Sequence, residues 1–412
     1  MKPPSRGAAR LLSGAGLAAV LLLPTAVPAH TAPLSWMPTA DGKEGQALPA
    51  MPSVLGADAE CTAASREKAK KQDWSRQRLD LDRLHGHGIG AGVTVALIDT
   101  GVTPDADGLD GRVTADGPAA EDCVGHGTFL AGLIAGTGDG AARLAGVAPG
   151  ARILALRGTD TRGEANPALV AAAVREATQA GVDVIAVTVA LPRRDTELSR
   201  AVADARRAGA VVVAAATPDP PTRGDTDEIP TRAYWPAGEP GVLSVADMLP
   251  GGLRPDKALP TTGIDLAAPG AGVVSGGPRG DGHYLGAGAS VAAAYVAGTA
   301  AVVRAAHPDD SADAVTHRLT ATAYPADIPQ LDAYAAVTTV LGDSRAATGA
   351  DRAADRVAVR DTSDADAATD RATLLVVLGS AAVLAVLWAV FALPRARARR
   401  WRPARAGGSG ED

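Results

Sequence analysis

The sequence predicts an α/β protein in which a mostly parallel sheet is covered by helices on both faces. Short runs rich in Val, Ile and Ala alternate with helical segments between about residues 92 and 306. Several strand segments are apolar throughout, as buried parallel strands are. Hydrophobic residues make up 46% of the 412 residues but aromatic residues only 3%, so aliphatic side chains must build the core.

The predicted elements follow one another with short connections. Strands are predicted over 93–99, 151–157, 182–190, 210–216 and 241–247, and helices over 127–136, 167–180, 196–209 and 290–306. Asn166 and Pro167 begin the second helix, because asparagine accepts hydrogen bonds from the first free amides and proline is preset for the first helical position. Together these elements predict one domain over residues 75–342.

The first 29 residues have the pattern of a secretory signal peptide. Three basic residues precede an apolar run over 11–23, and small residues at 27–29 offer a cleavage site. An uncleaved signal anchor is the alternative. Residues 30–74, rich in Pro, Ala and charge, are predicted to form an extended N-terminal arm ahead of the domain.

A second apolar run, residues 372–394, is predicted to be a transmembrane helix. Its 23 uncharged residues exceed the roughly 20 that cross a bilayer core. Six arginines follow, which places the basic tail 395–412 in the cytoplasm and the domain outside the cell membrane. Residues 343–371, rich in Ala and Asp, are predicted to be a flexible stalk. A buried core helix is the alternative for the apolar run.

The two cysteines, Cys61 and Cys123, are predicted to form a disulfide, because export would place both in an oxidising compartment. A free thiol pair is the alternative. Cys123 and His126 have a spacing found in metal sites, but two further ligands at suitable spacing are absent. We therefore predict no metal site and no cofactor. The net charge of −6, without a basic stripe before the last 20 residues, argues against nucleic acid binding.

Three short segments carry residues suited to nucleophilic catalysis. Asp99 ends the first strand, where catalytic groups of parallel sheets gather. His126 stands at the entry to an apolar helix, and Ser290 opens the last helix after a glycine-rich turn. A nucleophilic serine needs a histidine base, which a buried carboxylate orients. The order Asp, His, Ser on this alternating pattern predicts acyl-enzyme chemistry.

Around these residues the sequence resembles the subtilases. VALIDTGV (95–102), GHGTFLAG (125–132) and GAGASVAAAYVAG (286–298) resemble that family's three active-site sequences, and 234–247 and 268–270 resemble its other landmarks. Within the family the chain is most similar to the mycosins, membrane-anchored proteases associated with type VII secretion. The resemblance implies a single subtilisin-like domain, a peptide or protein substrate, contact with a type VII secretion membrane complex and an arm tethered by cysteine.

The family pattern fails at the residue that should stabilise the oxyanion. Thr217 and Pro218 stand where subtilases carry an asparagine donor, and proline has no donor at all. Asn166 is the only asparagine in the chain, and its capping context makes it an unsuitable substitute. In subtilisin, removing this donor costs about 10²- to 10³-fold in turnover. The Thr217 hydroxyl is a candidate replacement.

Two functions are consistent with a retained triad and a missing oxyanion asparagine. The first is a membrane-anchored extracellular serine endopeptidase that uses Asp99, His126 and Ser290. The second is a catalytically weak or inactive pseudoprotease that scaffolds or stabilises a secretion complex. A hydrolase outside the subtilases is a third alternative. The retained triad favours the first function, and the missing asparagine favours the second.

Overall fold

The computed structural model describes residues 48–138, 143–220, 229–256, 258–341 and 363–398. They fall into two units, one ending at Leu341 and one that follows it. The predicted signal peptide 1–29 lies outside the described residues, as do the start of the arm, most of the stalk and the end of the tail.

A seven-stranded sheet forms the centre of the first unit. Its strands are β1 (Thr94–Asp99), β2 (Val113–Ala115), β3 (Arg152–Arg157), β4 (Val184–Val187), β5 (Val211–Ala215), β6 (Leu243–Met248) and β7 (Leu266–Pro269). The spatial order is β2-β3-β1-β4-β5-β6-β7, and all neighbours are parallel. After β1 the chain forms β2 and β3 on one side of that strand and then crosses to its other side as β4. The strand order switches sides at this point, where a crevice is expected at the carboxyl ends of β1 and β4.

Helices cover both faces of this sheet, as the sequence predicts. They are α1 (Trp74–Arg78), α2 (Leu81–His85), α3 (His126–Ala135), α4 (Pro167–Gln179), α5 (Thr196–Arg207), α6 (Ala289–Ala306), α7 (Ala312–Ala321) and α8 (Ala333–Thr338). Val95 and Leu97 of β1 share a core with α3 and α6, whereas Ala96 and Ile98 share the other with α4 and α5. Alternate side chains of a strand face opposite layers, which is why the middle of β1, residues 95–98, is apolar on both faces.

The longest helix of this unit, α6, is the centre of the larger core. Its residues are buried from Ala289 through Val303. Small side chains let neighbouring backbone come close: a Cβ on Gly298 would lie 2.8 Å from the Val147 Cβ. The sheet and α3 therefore pack directly against the helix that carries Ser290.

The strand predicted over 182–190 is shorter than expected and ends at Val187. The backbone amide of the next residue, Thr188, still donates to the Ile98 carbonyl oxygen at 3.3 Å. Its hydroxyl donates to Asp99 and lies 3.0 Å from the same carbonyl oxygen, so the end of this strand is fixed against the end of β1.

The arm lies in an extended conformation against a hairpin that the sequence analysis did not identify. The hairpin consists of β8 (Ala271–Gly276) and β9 (His283–Ala287), which pair antiparallel. Met51 N–H donates to the Leu285 carbonyl at 2.8 Å, and Leu285 N–H donates to the Pro49 carbonyl at 2.8 Å. The predicted disulfide between Cys61 and Cys123 is present and bonds the arm to the segment before α3.

The second unit contains one long helix, α9 (Ser363–Ala398). Its stretch Leu374–Arg395 has a mean hydropathy of 2.7 and is long and apolar enough to cross a membrane, with no part of it buried. The helix begins nine residues before the predicted span 372–394. Residues 363–371 of the predicted stalk are therefore helical, and they include three alanines, the strongest helix former.

Candidate active site

Three buried side chains meet at the carboxyl ends of the strands. Asp99 is the last residue of β1, His126 is the first residue of α3, and Ser290 is the second residue of α6. All three are buried. The sequence motifs that carry them therefore converge on the crevice beside β1 and β4.

The three side chains form a chain of hydrogen bonds. His126 Nδ1 lies 2.8 Å from Asp99 Oδ1, and His126 Nε2 lies 3.1 Å from Ser290 Oγ. Asp99 also accepts from the Thr100 backbone amide at 2.8 Å and from the Thr188 hydroxyl. The carboxylate is thus fixed on both oxygens, and the imidazole is positioned to take a proton from the serine.

The backbones of the segments that carry Asp99 and His126 approach each other closely. A Cβ on Gly127 would lie only 1.9 Å from the Gly101 carbonyl oxygen, so no larger residue fits there. The Gly127 amide also donates to the Thr100 hydroxyl oxygen at 2.9 Å. This close approach brings the end of β1 and the start of α3 within reach of the hydrogen bond between Asp99 and His126.

Asp122 holds the start of α3, a role that the sequence analysis missed. Its carboxylate accepts from the amides of Gly125 at 2.7 Å and Thr128 at 2.8 Å, and from the Thr100 hydroxyl at 2.9 Å. The helix begins after Gly125, which has no side chain to cap it. The sequence signal for this role was an acidic residue shortly before a helix whose N-cap position is occupied by glycine.

The electrostatics of the histidine depend on two carboxylates. Burial by itself lowers the pKa of His126, but Asp99 and Asp219 outweigh it and hold that pKa well above its usual value. Burial raises the pKa of Asp99, yet the charge and hydrogen bond of His126, with those of Thr188 and Thr100, bring it below its usual value. The site therefore favours an imidazolium next to carboxylates.

Asp219 lies where the sequence analysis sought an oxyanion donor. The Ser290 amide donates to Asp219 Oδ1 at 3.1 Å, and the Ser290 hydroxyl donates to Oδ2. The same Oδ2 is 3.2 Å from His126 Nε2. The signal was an acid one residue beyond Pro218, and its contact with Ser290, 71 positions away, could not be read from the local sequence.

Thr217, the candidate replacement for the missing asparagine, lies two residues before Asp219, and its role as an oxyanion donor stays a prediction. Its side chain is buried. Within the described part of the chain, the side-chain hydrogen bonds of Ser290 run to His126 and Asp219. Pro218, as expected, separates Thr217 from the acid without supplying a donor.

A second acid lies near Asp219. Burial raises the pKa of Asp247, at the carboxyl end of β6, to about 6; nearby Arg254 opposes this rise and Asp219 adds to it. Arg254 Nη2 is 3.8 Å from Asp247 Oδ1. Over the residues described, no group of three or more His, Cys, Asp or Glu side chains could hold a metal ion.

Comparison with known proteins places this geometry in a family. The subtilase family model (Peptidase_S8) matches residues 90–365. Mycosin-1 of Mycobacterium tuberculosis is 34% identical over 305 residues, which cover 61% of this chain and 68% of mycosin-1. The structure of the MycP3 protease from the type VII (ESX-3) secretion system is 30% identical, covers 73% of this chain and 100% of that one, and has a TM-score of 0.56.

A chain in the periplasmic assembly of the ESX-5 inner membrane complex is also similar. It is 25% identical, with coverage of 72% of this chain and 92% of that one and a TM-score of 0.60. The family match extends over the parallel sheet and all the segments that meet at Ser290. The chain belongs to the subtilase family, as a mycosin-like serine protease.

Proposed function

We propose that this protein is a membrane-anchored, extracellular serine endopeptidase in which Ser290 is the nucleophile, His126 the general base and Asp99 its orienting carboxylate. The observation that carries the proposal is the hydrogen-bonded series from Asp99 Oδ1 through His126 to Ser290 Oγ, with distances of 2.8 and 3.1 Å. The matched family model and the mycosin relatives support it.

The geometry supports a two-step acyl transfer. Ser290 Oγ attacks the peptide carbonyl carbon while His126 Nε2 takes its proton, and the carbonyl electron pair moves onto oxygen. When the C–N bond breaks, the imidazolium gives its proton to the leaving amine. Water then attacks the acyl-enzyme by the same route and releases Ser290. Asp99 stays ionised and stabilises the imidazolium at each step.

The test is covalent labelling of Ser290 by a fluorophosphonate probe, which needs an activated serine but no known substrate. The full-length protein in detergent should be labelled, and Ser290→Ala should not. Thermal unfolding measured in parallel shows that both proteins are folded. Folded wild-type protein without Ser290-dependent labelling would falsify the enzymatic proposal.

The membrane anchor is proposed to be α9, with the domain outside and the arginine-rich tail in the cytoplasm. Leu374–Arg395 supplies the apolar length, and the six arginines that follow favour the cytoplasmic side. A chain ending at residue 362 should leave the membrane fraction, whereas the full chain should stay after a high-salt wash. Retention of the shortened chain in the membrane would argue against this anchor.

Association with a type VII secretion membrane complex is the partner that the relatives suggest, since similar chains come from ESX-3 and ESX-5 systems. Affinity purification of the tagged full chain from its own membranes should bring down further membrane proteins of such a system. Purification of the tagged chain alone, under conditions that preserve membrane complexes, would contradict the association.

A pseudoprotease that scaffolds the complex is the second candidate. The observation in its favour is the Asp219 carboxylate, which accepts hydrogen bonds from both the amide and the hydroxyl of Ser290. In that case Ser290→Ala would leave the function of the secretion system unchanged, whereas loss of the whole chain would abolish it.

A further inference from the structure

We propose that Asp219 is a further catalytic residue of this chain: as a carboxylate it occupies the oxyanion position and keeps Ser290 inactive, and as a carboxylic acid it donates a hydrogen bond to the oxyanion. The proposal rests on the serine-protease function above and assigns the role of the missing asparagine.

The position of the Asp219 carboxylate supports this role. In an acyl transfer the nucleophile's own backbone amide is a donor to the developing oxyanion. Here the Ser290 amide donates to Asp219 Oδ1 at 3.1 Å. Asp219 Oδ1 therefore holds the place that a substrate oxygen would take. It fits because residue 288 is glycine; a Cβ there would lie 1.9 Å from Asp219 Oδ1.

The hydrogen bond that the Ser290 hydroxyl donates also supports this role. The Ser290 hydroxyl donates to Asp219 Oδ2, and a hydroxyl has one proton to give. While that bond exists, the proton does not point at His126. An ionised Asp219 would also repel the negative charge that develops on a substrate oxygen next to it. Both effects keep the carboxylate form inactive.

The active and inactive forms differ in whether one proton lies on His126 or on Asp219. Asp219 Oδ2 and His126 Nε2 are 3.2 Å apart, so a proton on His126 forms an ion pair with Asp219. In that form His126 cannot accept the serine proton. If the same proton lies on Asp219, His126 is a free base and Asp219 has become a donor. The active and inactive forms thus carry the same net charge and differ in which group holds the proton.

The reaction then balances without any further reactant. Ser290 Oγ bonds to the carbonyl carbon, the carbonyl electron pair moves to oxygen, and His126 takes the serine proton. The substrate oxygen displaces Asp219 Oδ1 from the Ser290 amide and accepts a second hydrogen bond from the protonated carboxyl. When the C–N bond breaks, His126 gives the serine proton to the leaving amine, the substrate oxygen becomes a carbonyl oxygen again, and the other proton remains on Asp219. Water then attacks the acyl-enzyme in the same way and releases the product acid and Ser290.

The surrounding charges set the balance between the two forms. His126 approaches Asp219 from the start of α3, and Asp99 of β1 acts on it through that imidazole. Asp247 at the end of β6 is close enough that Asp219 helps to raise its pKa, and Arg254 faces Asp247. The negative charge of Asp247 and the positive charge of Arg254 therefore act on Asp219 in opposite directions.

The test compares the rate at which a fluorophosphonate labels Ser290 in wild-type protein, Asp219→Asn and Asp219→Ala, each full length. Asparagine gives a permanent donor without charge, so Asp219→Asn should be labelled on the order of 10²-fold faster at neutral pH. Alanine frees the serine but donates nothing, so Asp219→Ala should be slower than Asp219→Asn. Asp265→Asn is the matched control, because Asp265 binds the Ser244 amide at the opposite end of β6 and should not alter the rate.

The pH dependence gives a second, independent measurement. Wild-type labelling should rise and then fall with increasing pH, because activity needs one proton shared between His126 and Asp219. Asp219→Asn should rise to a plateau, since only His126 must lose its proton. The ratio of the two rates should therefore grow with pH. A wild-type plateau at alkaline pH would overturn the proposal even if the variants fail to fold.

The outcomes separate this inference from the proposed function. Labelling of wild-type Ser290 with Asp219→Asn equally fast or slower would overturn the role of Asp219 and leave the protease assignment standing. Absence of labelling in every folded variant, Asp219→Asn included, would overturn both. An Asp219→Ala rate equal to that of Asp219→Asn would overturn the donor role.

Discussion

Thr188 shows how a single hydroxyl contributes to the geometry of the site. It donates to the Asp99 carboxylate and lies 3.0 Å from the Ile98 carbonyl oxygen, so it fixes the acid's orientation relative to β1. It also helps to lower the pKa of Asp99. The sequence analysis treated this residue as part of a strand, because nothing local shows that its hydroxyl points at a residue 89 positions away.

Replacing Thr188 by valine should therefore slow the labelling of Ser290 about 10-fold, since one hydrogen bond to a buried charge contributes about 1.5–3 kcal/mol. The pKa of Asp99 should rise, because one of the hydrogen bonds that lowers it is lost. Thr178→Val is the control, because that hydroxyl bonds only to the Val174 carbonyl within α4. An unchanged rate in Thr188→Val would contradict the orienting role.

Asp247 is predicted to lower stability when it ionises. Burial raises its pKa to about 6, from the usual 3.8, so the folded protein binds more protons than the unfolded chain between these values. Stability from this group is present below about pH 4 and is lost as pH rises toward 6. Two pKa units correspond to at most about 3 kcal/mol.

Asp247→Asn should consequently raise the melting temperature at neutral pH and flatten its decline between pH 4 and 6. Loss of the contact with Arg254 offsets part of the gain. Thermal unfolding followed by circular dichroism at several pH values measures both effects. A variant that is less stable than wild type at neutral pH would show that the ionised form is tolerated.

At the scale of elements, the sequence predicts strands and helices that are apolar and continuous, and it misses those that are not. β1 and α6 could be recognised because their burial on all sides makes most of their residues apolar. The sequence pattern did not predict the hairpin β8–β9, because this hairpin is glycine-rich and half-exposed and its pattern is close to that of a loop. The arm pairs with it through an isolated bridge between Ala50 and Leu285 and forms no regular strand there.

The start of α3 is the element on which His126 depends. Asp122→Ala would remove acceptors from two amides and two hydroxyls, so we expect it to lower the free energy of unfolding by about 1–3 kcal/mol and to slow the labelling of Ser290. Asp195→Ala is a matched control, because Asp195 caps α5, away from the site. It should lose about 1 kcal/mol without slower labelling. Equal labelling by both variants would refute the link between Asp122 and His126.

For the whole molecule, the fold and the meeting of Asp99, His126 and Ser290 were predictable because each of these residues lies in its own contiguous motif on a regular α/β pattern. Asp219 was not, because the family pattern directs attention to the position of the lost asparagine. Its function depends on three partners brought together by folding: the amide and hydroxyl of Ser290 and the ring of His126.

The disulfide connects the arm to the rest of the domain across 62 residues. The Cys61→Ser/Cys123→Ser variant should be less stable by about 4 kcal/mol on the chain-entropy model. Its melting temperature should fall and should no longer respond to reductant, whereas reductant should lower that of the wild type. A variant as stable as the oxidised wild type would mean that the arm's hydrogen bonds alone hold it.

The close approach of Gly101 and Gly127 limits how this protein can change over generations. No side chain fits at position 127 while the Gly101 carbonyl remains where it is, and Gly101 itself has a backbone conformation that favours glycine, with φ of 103°. A single substitution at either position is therefore not tolerated while the other residue stays glycine. Directed evolution of this enzyme toward new substrates should therefore keep both codons fixed and place its diversity in the residues that line the crevice.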